Sequence, residues 1–340
     1  TRHPIPVNQR IETTGTELYS KRDVERHLEL PAALHVVETT YAEGARGRVL
    51  NPAKSTMHLG DDGGWPGANA FSIGMPAYVD WLDVAGTKWA VATWDAEVSP
   101  PSSAKILLFD LDRGAFTAIL EGMHLTGVRT ALQSVVGLQH LRPDPPESVG
   151  VFGAGFQARF QLQVIDELVD VGTFRLYDVA DGRAADLAAD LAPGMTADVV
   201  VENTPQAVAD ADAVVTVTDS KTPVLEESWL PPDVLVIALG SYRELPDETV
   251  IGADRIVVDH TEQCLQRGAL SDLAERGEVT ASDLDTTIGG IVDSEDNHPT
   301  APDERVVFVP IGLGSLDIAL AEHLRTDGMG DDGVRRFEFR

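Results

Sequence analysis

The sequence predicts an α/β protein built around a parallel sheet, and two observations carry that prediction. From about residue 148 to 300, short apolar runs alternate with stretches that repeat apolar residues at helical spacing. Strands alternating with helices imply a parallel sheet covered on both faces. The first 145 residues instead carry longer, partly alternating runs broken by turns, which points to a second, antiparallel or mixed sheet.

The elements follow in order. PAYVDWLDVAGTKWAVATW and SAKILLFDLDRGAFTAILEG read as long strands with a turn at Asp112-Arg113-Gly114. GVRTALQSVVGLQHL reads as a helix that runs into the proline-rich Arg142–Glu147, where a domain boundary is placed. SVGVFGAG is strand then turn, FQARFQLQVIDELVDV a helix, TFRLYDV a strand and GRAADLAADLA an alanine-rich helix. ADVVVE, DAVVTVT, DVLVIALG and DRIVVD are further buried strands. RVVFVPIGLGSLDIALAEHLR is a strand, a glycine-rich turn and a helix, which either completes this unit or returns to the first.

The 340 residues are enough for about two domains, and 43% of them are hydrophobic. No apolar run approaches the roughly 18 residues of a membrane span, and TRHPIPVNQR lacks the apolar stretch of a signal peptide. A single cysteine, Cys264, forms no internal disulfide, so a cytoplasmic setting is expected. Fifty-five acidic residues against 26 basic ones give a formal charge of −29, which disfavours nucleic acid and anionic membranes as partners. Self-repulsion of that size is best tolerated where salt shortens the screening length, so a salt-loving source is expected.

A nucleotide-binding βαβ unit starts near Val149. Gly153, Gly155 and Ala158 occupy the three small-residue positions of a G-x-G-x-x-[GA] turn whose stretch Gly153-Ala154-Gly155-Phe156-Gln157-Ala158 follows a strand and opens a helix. The first glycine permits the turn, the second admits a pyrophosphate, and Ala158 keeps the helix close to the strand. The pyrophosphate meets the free N–H groups at the helix N-terminus. Asp178 follows Ala158 by twenty residues at the end of a second strand, where an acid accepts hydrogen bonds from the adenosine ribose. The expected cofactor is therefore NAD(H), with NADP(H) the alternative. Asp178 also has a reading as a helix N-cap, and Arg183 is either a partner for a 2′-phosphate or a solvated helix residue. Thr216 and Thr218 end a later strand, where ligands of such sheets bind.

The motifs GVRTALQSVVGLQHL, GVFGAGFQARFQLQ, DAVVTVTDSKTPVL, IALGSYRELPDE and GLGSLDIALAEHL, with GMPAYVDWLDVAGTKWAV before them, resemble the ornithine cyclodeaminase/mu-crystallin family in sequence and order from about Val49 to Leu324. The resemblance implies a Rossmann-type domain, residues 146–304, inserted in a substrate-binding and dimerisation domain made of 1–145 plus 305–340. It implies a homodimer acting on a small amino, imino or keto acid. Lys88 falls on the family's active-site lysine, and Arg129 on the arginine that grips the substrate carboxylate. Lys54 stands where the family usually has a second arginine; it keeps the charge but loses the bidentate fork. The family's N-G-H-P-x-N segment is replaced by ATWDAEVSPP. Where ornithine cyclodeaminases carry an aspartate after their glycine pair, this chain has Ser241 or Tyr242. The implied activity is reduction of an imine or reductive amination of a 2-keto acid, as in alanine dehydrogenases and ketimine reductases. Ornithine cyclodeamination and non-catalytic NAD(P) binding are the alternatives. Ser241 joins the residues expected at the cofactor.

The residue chemistry agrees with that assignment. Only five lysines occur (Lys21, Lys54, Lys88, Lys105, Lys221), so a retained one is enriched for purpose. Lys88 lies between apolar stretches, where burial lowers a lysine pKa and makes it a usable acid–base group; the plain alternative is a strand-edge lysine reaching water. Arg129 has the alternative of a helix-face ion pair. Asp317, at the start of the last helix, either closes the site near the nicotinamide or caps the helix. No metal site is expected: the nine histidines include no H-E-x-x-H and no paired Cys/His spacing. Trp65, Trp81, Trp89 and Trp94 are expected in core or dimer-interface packing.

Overall fold

The computed structural model describes residues 15–60, 69–93, 98, 100–294, 301, 303–328 and 335–339. TRHPIPVNQR, Trp65, and Trp94 to Glu97 of the ATWDAEVSPP segment lie outside the described residues. Two eight-stranded sheets organise the described residues.

The first sheet comprises β1 (Thr16–Tyr19), β2 (Val49–Leu50), β3 (Ser55–Leu59), β4 (Ala70–Val79), β5 (Val84–Thr93), β6 (Ser102–Asp110), β7 (Ala115–Glu121) and, from the far end of the chain, β16 (Arg335–Phe337). Its order is β16-β1-β7-β6-β5-β4-β2, with β3 also paired to β4, and every pairing except β1 with β7 is antiparallel. Side chains alternate across a strand, so β5 turns Lys88 inward, 2% exposed, and Trp89 outward, 48% exposed. The Trp89 indole donates to Ser72 across the sheet, and Trp81 packs against the edge of the core.

Helix Met123–His140 follows β7 directly. Glu121 caps it from outside: its two carboxylate oxygens accept from the Met123 and His124 N–H groups at 2.8 and 3.0 Å. A carboxylate there satisfies orphan donors and complements the helix dipole. Helix Gly314–His323 is buried from Gly314 to Glu322, so it is enclosed all round rather than amphipathic. It packs between the first sheet and helix Leu30–Ala45. This burial of both helices brings Arg129 and Asp317 under Lys88.

The second sheet comprises β8 (Ser148–Phe152), β9 (Thr173–Tyr177), β10 (Asp198–Val201), β11 (Ala213–Thr216), β12 (Leu235–Ala238), β13 (Arg255–Val258), β14 (Thr286–Thr287) and β15 (Val306–Val309). All its pairings are parallel, in the order β10-β9-β8-β11-β12-β15-β13-β14. This is the α/β, Rossmann-type sheet expected from the alternating apolar runs. One boundary needs correction. β15 pairs with β12 and β13 inside this sheet, so a boundary at 304/305 is one strand early. An all-apolar VVFV run satisfies both faces of a buried parallel strand, and the chain leaves the sheet only after Val309.

Candidate functional site

The strand order reverses between β8 and β11, and ligands of open α/β sheets bind at such a switch point. Gly153 closes β8 with φ +99°, where a side chain is strained, and a Cβ would meet the Val217 carbonyl at 3.0 Å. Gly155 is the helix N-cap, without a side-chain cap, and its Cβ position faces open space. The first N–H groups of helix Phe156–Leu168 therefore lack a side-chain partner, as an incoming pyrophosphate requires. Ala158 is fully buried, Phe156 is exposed against Phe160, and the buried Oε1 of Gln157 has no partner among the described residues. These residues fit a dinucleotide.

Asp178 follows β9 and braces the turn. Its carboxylate accepts from the Ala154 N–H at 2.7 Å and the Ala180 N–H at 2.8 Å. The N-cap alternative fails, because Gly182 caps the next helix. Arg183 approaches Asp178 at 3.8 Å with 60% of its side chain exposed.

Across the switch point a cleft of about 360 Å³ opens between the two sheets. It is lined by Lys54, Lys88 and Arg129 on one side and by Gln157, Thr218 and Ser241 on the other. Six of the sequence-derived residues thus line one cavity, from six separate segments, whereas Asp178, Arg183 and the glycines of the β8 turn lie outside its wall. Lys88 Nζ lies 2.7 Å from Asp317 Oδ2, and Arg129 Nε 3.3 Å from Asp317 Oδ1. Burial pushes the Lys88 ammonium down to about 8, helped by Arg129 and opposed by Asp317. Lys54 Nζ donates to the Ile311 carbonyl at 2.6 Å. Burial pushes it down to about 7, opposed by Asp259 and helped by Arg267, Arg129 and Lys88.

Two expectations change. Asp317 is wholly buried beneath Lys88 and Arg129 and is absent from the cleft wall. Nor does it cap its helix, where Leu313 holds that position. A buried carboxylate must be paired, and Lys88 and Arg129 occupy both of its oxygens. Thr216 is also wholly buried, its hydroxyl donating to Glu244 Oε2 at 2.8 Å. Thr218 reaches the cleft but likewise donates through N–H and hydroxyl to Glu244 Oε1, both at 2.6 Å.

Glu244 is the organiser that motif reading passes over. It also accepts from the Gly240 N–H at 2.7 Å, so one buried carboxylate ties the ends of β11 and β12 together. Burial raises its pKa, against the pull of these hydrogen bonds. A glutamate four residues beyond the glycine after a buried strand is the signal that could have found it.

Gln133, Asp259 and Arg267 were also missed. Gln133 lies one turn after Arg129, and its Oε1 accepts from Arg129 Nη1 at 2.8 Å. Its amide donates to the Tyr41 hydroxyl at 2.8 Å and to Asp259 Oδ2 at 3.3 Å. Asp259, just after β13, also accepts from the Gly312 N–H at 2.8 Å and the Cys264 thiol at 3.2 Å. Gly312 has φ +78°, and a Cβ there would meet Arg129 Nη1 at 2.4 Å. This buried network anchors the Arg129 guanidinium to the second sheet. Arg267 donates from Nη2 to Ser241 Oγ at 3.0 Å and also lines the cleft.

The family model for the ornithine cyclodeaminase/mu-crystallin family matches residues 15–330. The chain belongs to that family. Among relatives, a Delta(1)-pyrroline-2-carboxylate reductase of Bacillus cereus is 28% identical over 273 residues, 78% of this chain and 84% of the relative. The solved Delta(1)-pyrroline-2-carboxylate reductase of Thermococcus litoralis, in complex with NADH and L-proline, superposes with TM-score 0.83. It is 23% identical and covers 91% of this chain and 98% of its own. An archaeal alanine dehydrogenase dimer with bound NAD gives TM-score 0.86 at 22% identity, covering 96% and 99%.

Proposed function

We propose that this chain is an NAD(H)-dependent oxidoreductase that reduces the C=N bond of an α-imino acid or reductively aminates a small 2-keto acid. The observation that carries the reading is the convergence of Lys88 and Arg129, over the shared Asp317, on the cleft that Gln157, Thr218 and Ser241 line from the dinucleotide half. Bound NADH supplies the hydride. Arg129, held by Asp317 and Gln133, receives the substrate carboxylate as a planar fork. Lys54 adds a second charge there. Lys88 donates the proton to the imine nitrogen and takes one back in the oxidative direction, with a pKa suited to both. Asp178 at the ribose position favours NAD over NADP. The test is wild-type turnover: net NADH consumption with a cyclic ketimine carboxylate, or with pyruvate and ammonia. Proline from ornithine without net cofactor change, or NADH binding without any turnover, overturns the reading.

Lys54 gives the binding step a pH dependence. Below about pH 7 it is charged, and as pH rises through 7 the carboxylate loses that partner. KM for the substrate therefore climbs by up to about ten-fold between pH 7 and 9. Arginine stays charged throughout this range, so Lys54→Arg flattens the rise. A wild-type KM that does not change with pH removes Lys54 from the carboxylate site.

The enzyme works as a homodimer in a salty cytoplasm. Pairing register puts Met57 and Val91 in one row through Ser72, and Trp89 beside them over Gly74. Their side chains are 52%, 45% and 48% exposed on the face opposite Lys88, an apolar patch suited to a second copy. The −29 charge opposes both folding and pairing at low salt. Sedimentation and unfolding across a KCl series read both: a dimer whose stability rises with KCl is expected. A monomer at every salt, with flat stability, overturns this.

A further inference from the structure

We infer that the substrate carries a second carboxylate, held by Arg267, so that the enzyme acts on an acidic imino or keto acid. This rests on the imine-reductase reading. Four cations line the cleft, Lys54, Lys88, Arg129 and Arg267, and among the described residues no carboxylate lines it. That is the reverse of the chain as a whole, with 55 acids against 26 bases. Lys88 and Arg129 share Asp317 behind the wall, and one substrate carboxylate engages Arg129 with Lys54. Arg267 is then left over. It makes one hydrogen bond, to Ser241, and among the described residues it has no carboxylate partner. Burial lowers its pKa, opposed only by Tyr242, and no carboxylate contributes. A half-buried arginine that faces a cleft with no carboxylate in its wall has free donors to offer an anionic ligand.

The sheet order says which anion. Asp178 follows β9 and the pyrophosphate turn follows β8, whereas Ser241 follows β12, two strands beyond β8 and three beyond β9. At the usual strand spacing of ~4.8 Å these are separations on the order of 10 and 14 Å. Arg267 therefore stands at the nicotinamide and substrate end, away from the phosphates of the cofactor. Its remaining N–H groups form a planar fork suited to a carboxylate.

The experiment compares kcat/KM for NAD-dependent oxidation of L-aspartate and L-glutamate with that of L-alanine and L-norvaline, at one fixed KCl concentration. It is run in wild type, Arg267→Met and Arg267→Lys, with NADH affinity titrated by fluorescence on each. The expected result is a preference for the acidic substrates of about ten- to hundred-fold, lost in Arg267→Met and partly kept in Arg267→Lys. No preference in wild type overturns the inference while leaving the imine-reductase reading intact. So does a parallel loss on all four substrates, or weakened NADH binding with the ratio preserved, which would put Arg267 on the cofactor. NADH binding without turnover on any amino or imino acid fails both.

Discussion

Lys88→Ala lowers kcat/KM for imine reduction by about 10²- to 10⁴-fold, the range spanned by loss of a general acid, while NADH affinity stays essentially unchanged. The separation follows from where the groups lie. Lys88 belongs to β5 of the first sheet, and the turn that meets the dinucleotide belongs to β8 of the second. In Lys88→Ala, Asp317 keeps Arg129 as its partner, so the carboxylate is not orphaned. The wild-type pH profile gives an independent reading. With the ammonium pushed down to about 8, the proton donor is present below pH 8. Reductive kcat therefore falls as pH rises through 8, and oxidative kcat, which needs the free amine, rises over the same interval. Turnover that survives Lys88→Ala, or a profile without a limb near 8, removes Lys88 from proton transfer.

The parts of this site legible in the sequence are those whose physics is local. The β8 turn declares itself because Gly153 must adopt positive φ and Gly155 must leave room, and both demands restrict residue type within six positions. The acid after β9 is readable for the same reason, as its spacing is that of one strand–helix–strand unit. Lys88 and Arg129 came instead through family resemblance, supported by an alternation that turns Trp89 out and Lys88 in.

What the sequence did not disclose depends on contacts between distant segments. Asp317 looks like a residue of a helix start, and only the packing of helix Gly314–His323 against β5 and helix Met123–His140 shows it beneath two cations. Glu244 binds Thr216, Thr218 and Gly240 across 26 to 28 residues for the threonines and four for the glycine. Gln133 meets Asp259 across 126 residues. No periodicity encodes such pairs. The misplaced boundary at 304/305 has the same origin: VVFV is as good a strand for either sheet, and the long excursion before β15 hides its pairing with β12.

Asp317→Ala destabilises the fold by about 3–5 kcal/mol, the usual result of removing one partner from a buried ionic pair. Asp317 is wholly buried, and the side chains of Lys88 and Arg129 are 2% and 9% exposed. Without the carboxylate, two positive charges face each other away from water, and Gln133 offers Arg129 only a neutral oxygen. Lys88 relieves part of the repulsion by releasing its proton. The conservative Asp317→Asn separates charge from shape: it keeps the volume, removes the anion that holds the Lys88 pKa up, and so moves the basic limb of reductive kcat below 8. Urea midpoints at fixed KCl read the stability, and the pH profile reads the coupling. If both variants unfold within about 0.5 kcal/mol of wild type and the limb stays at 8, solvent already screens the three charges and Asp317 does not position Lys88.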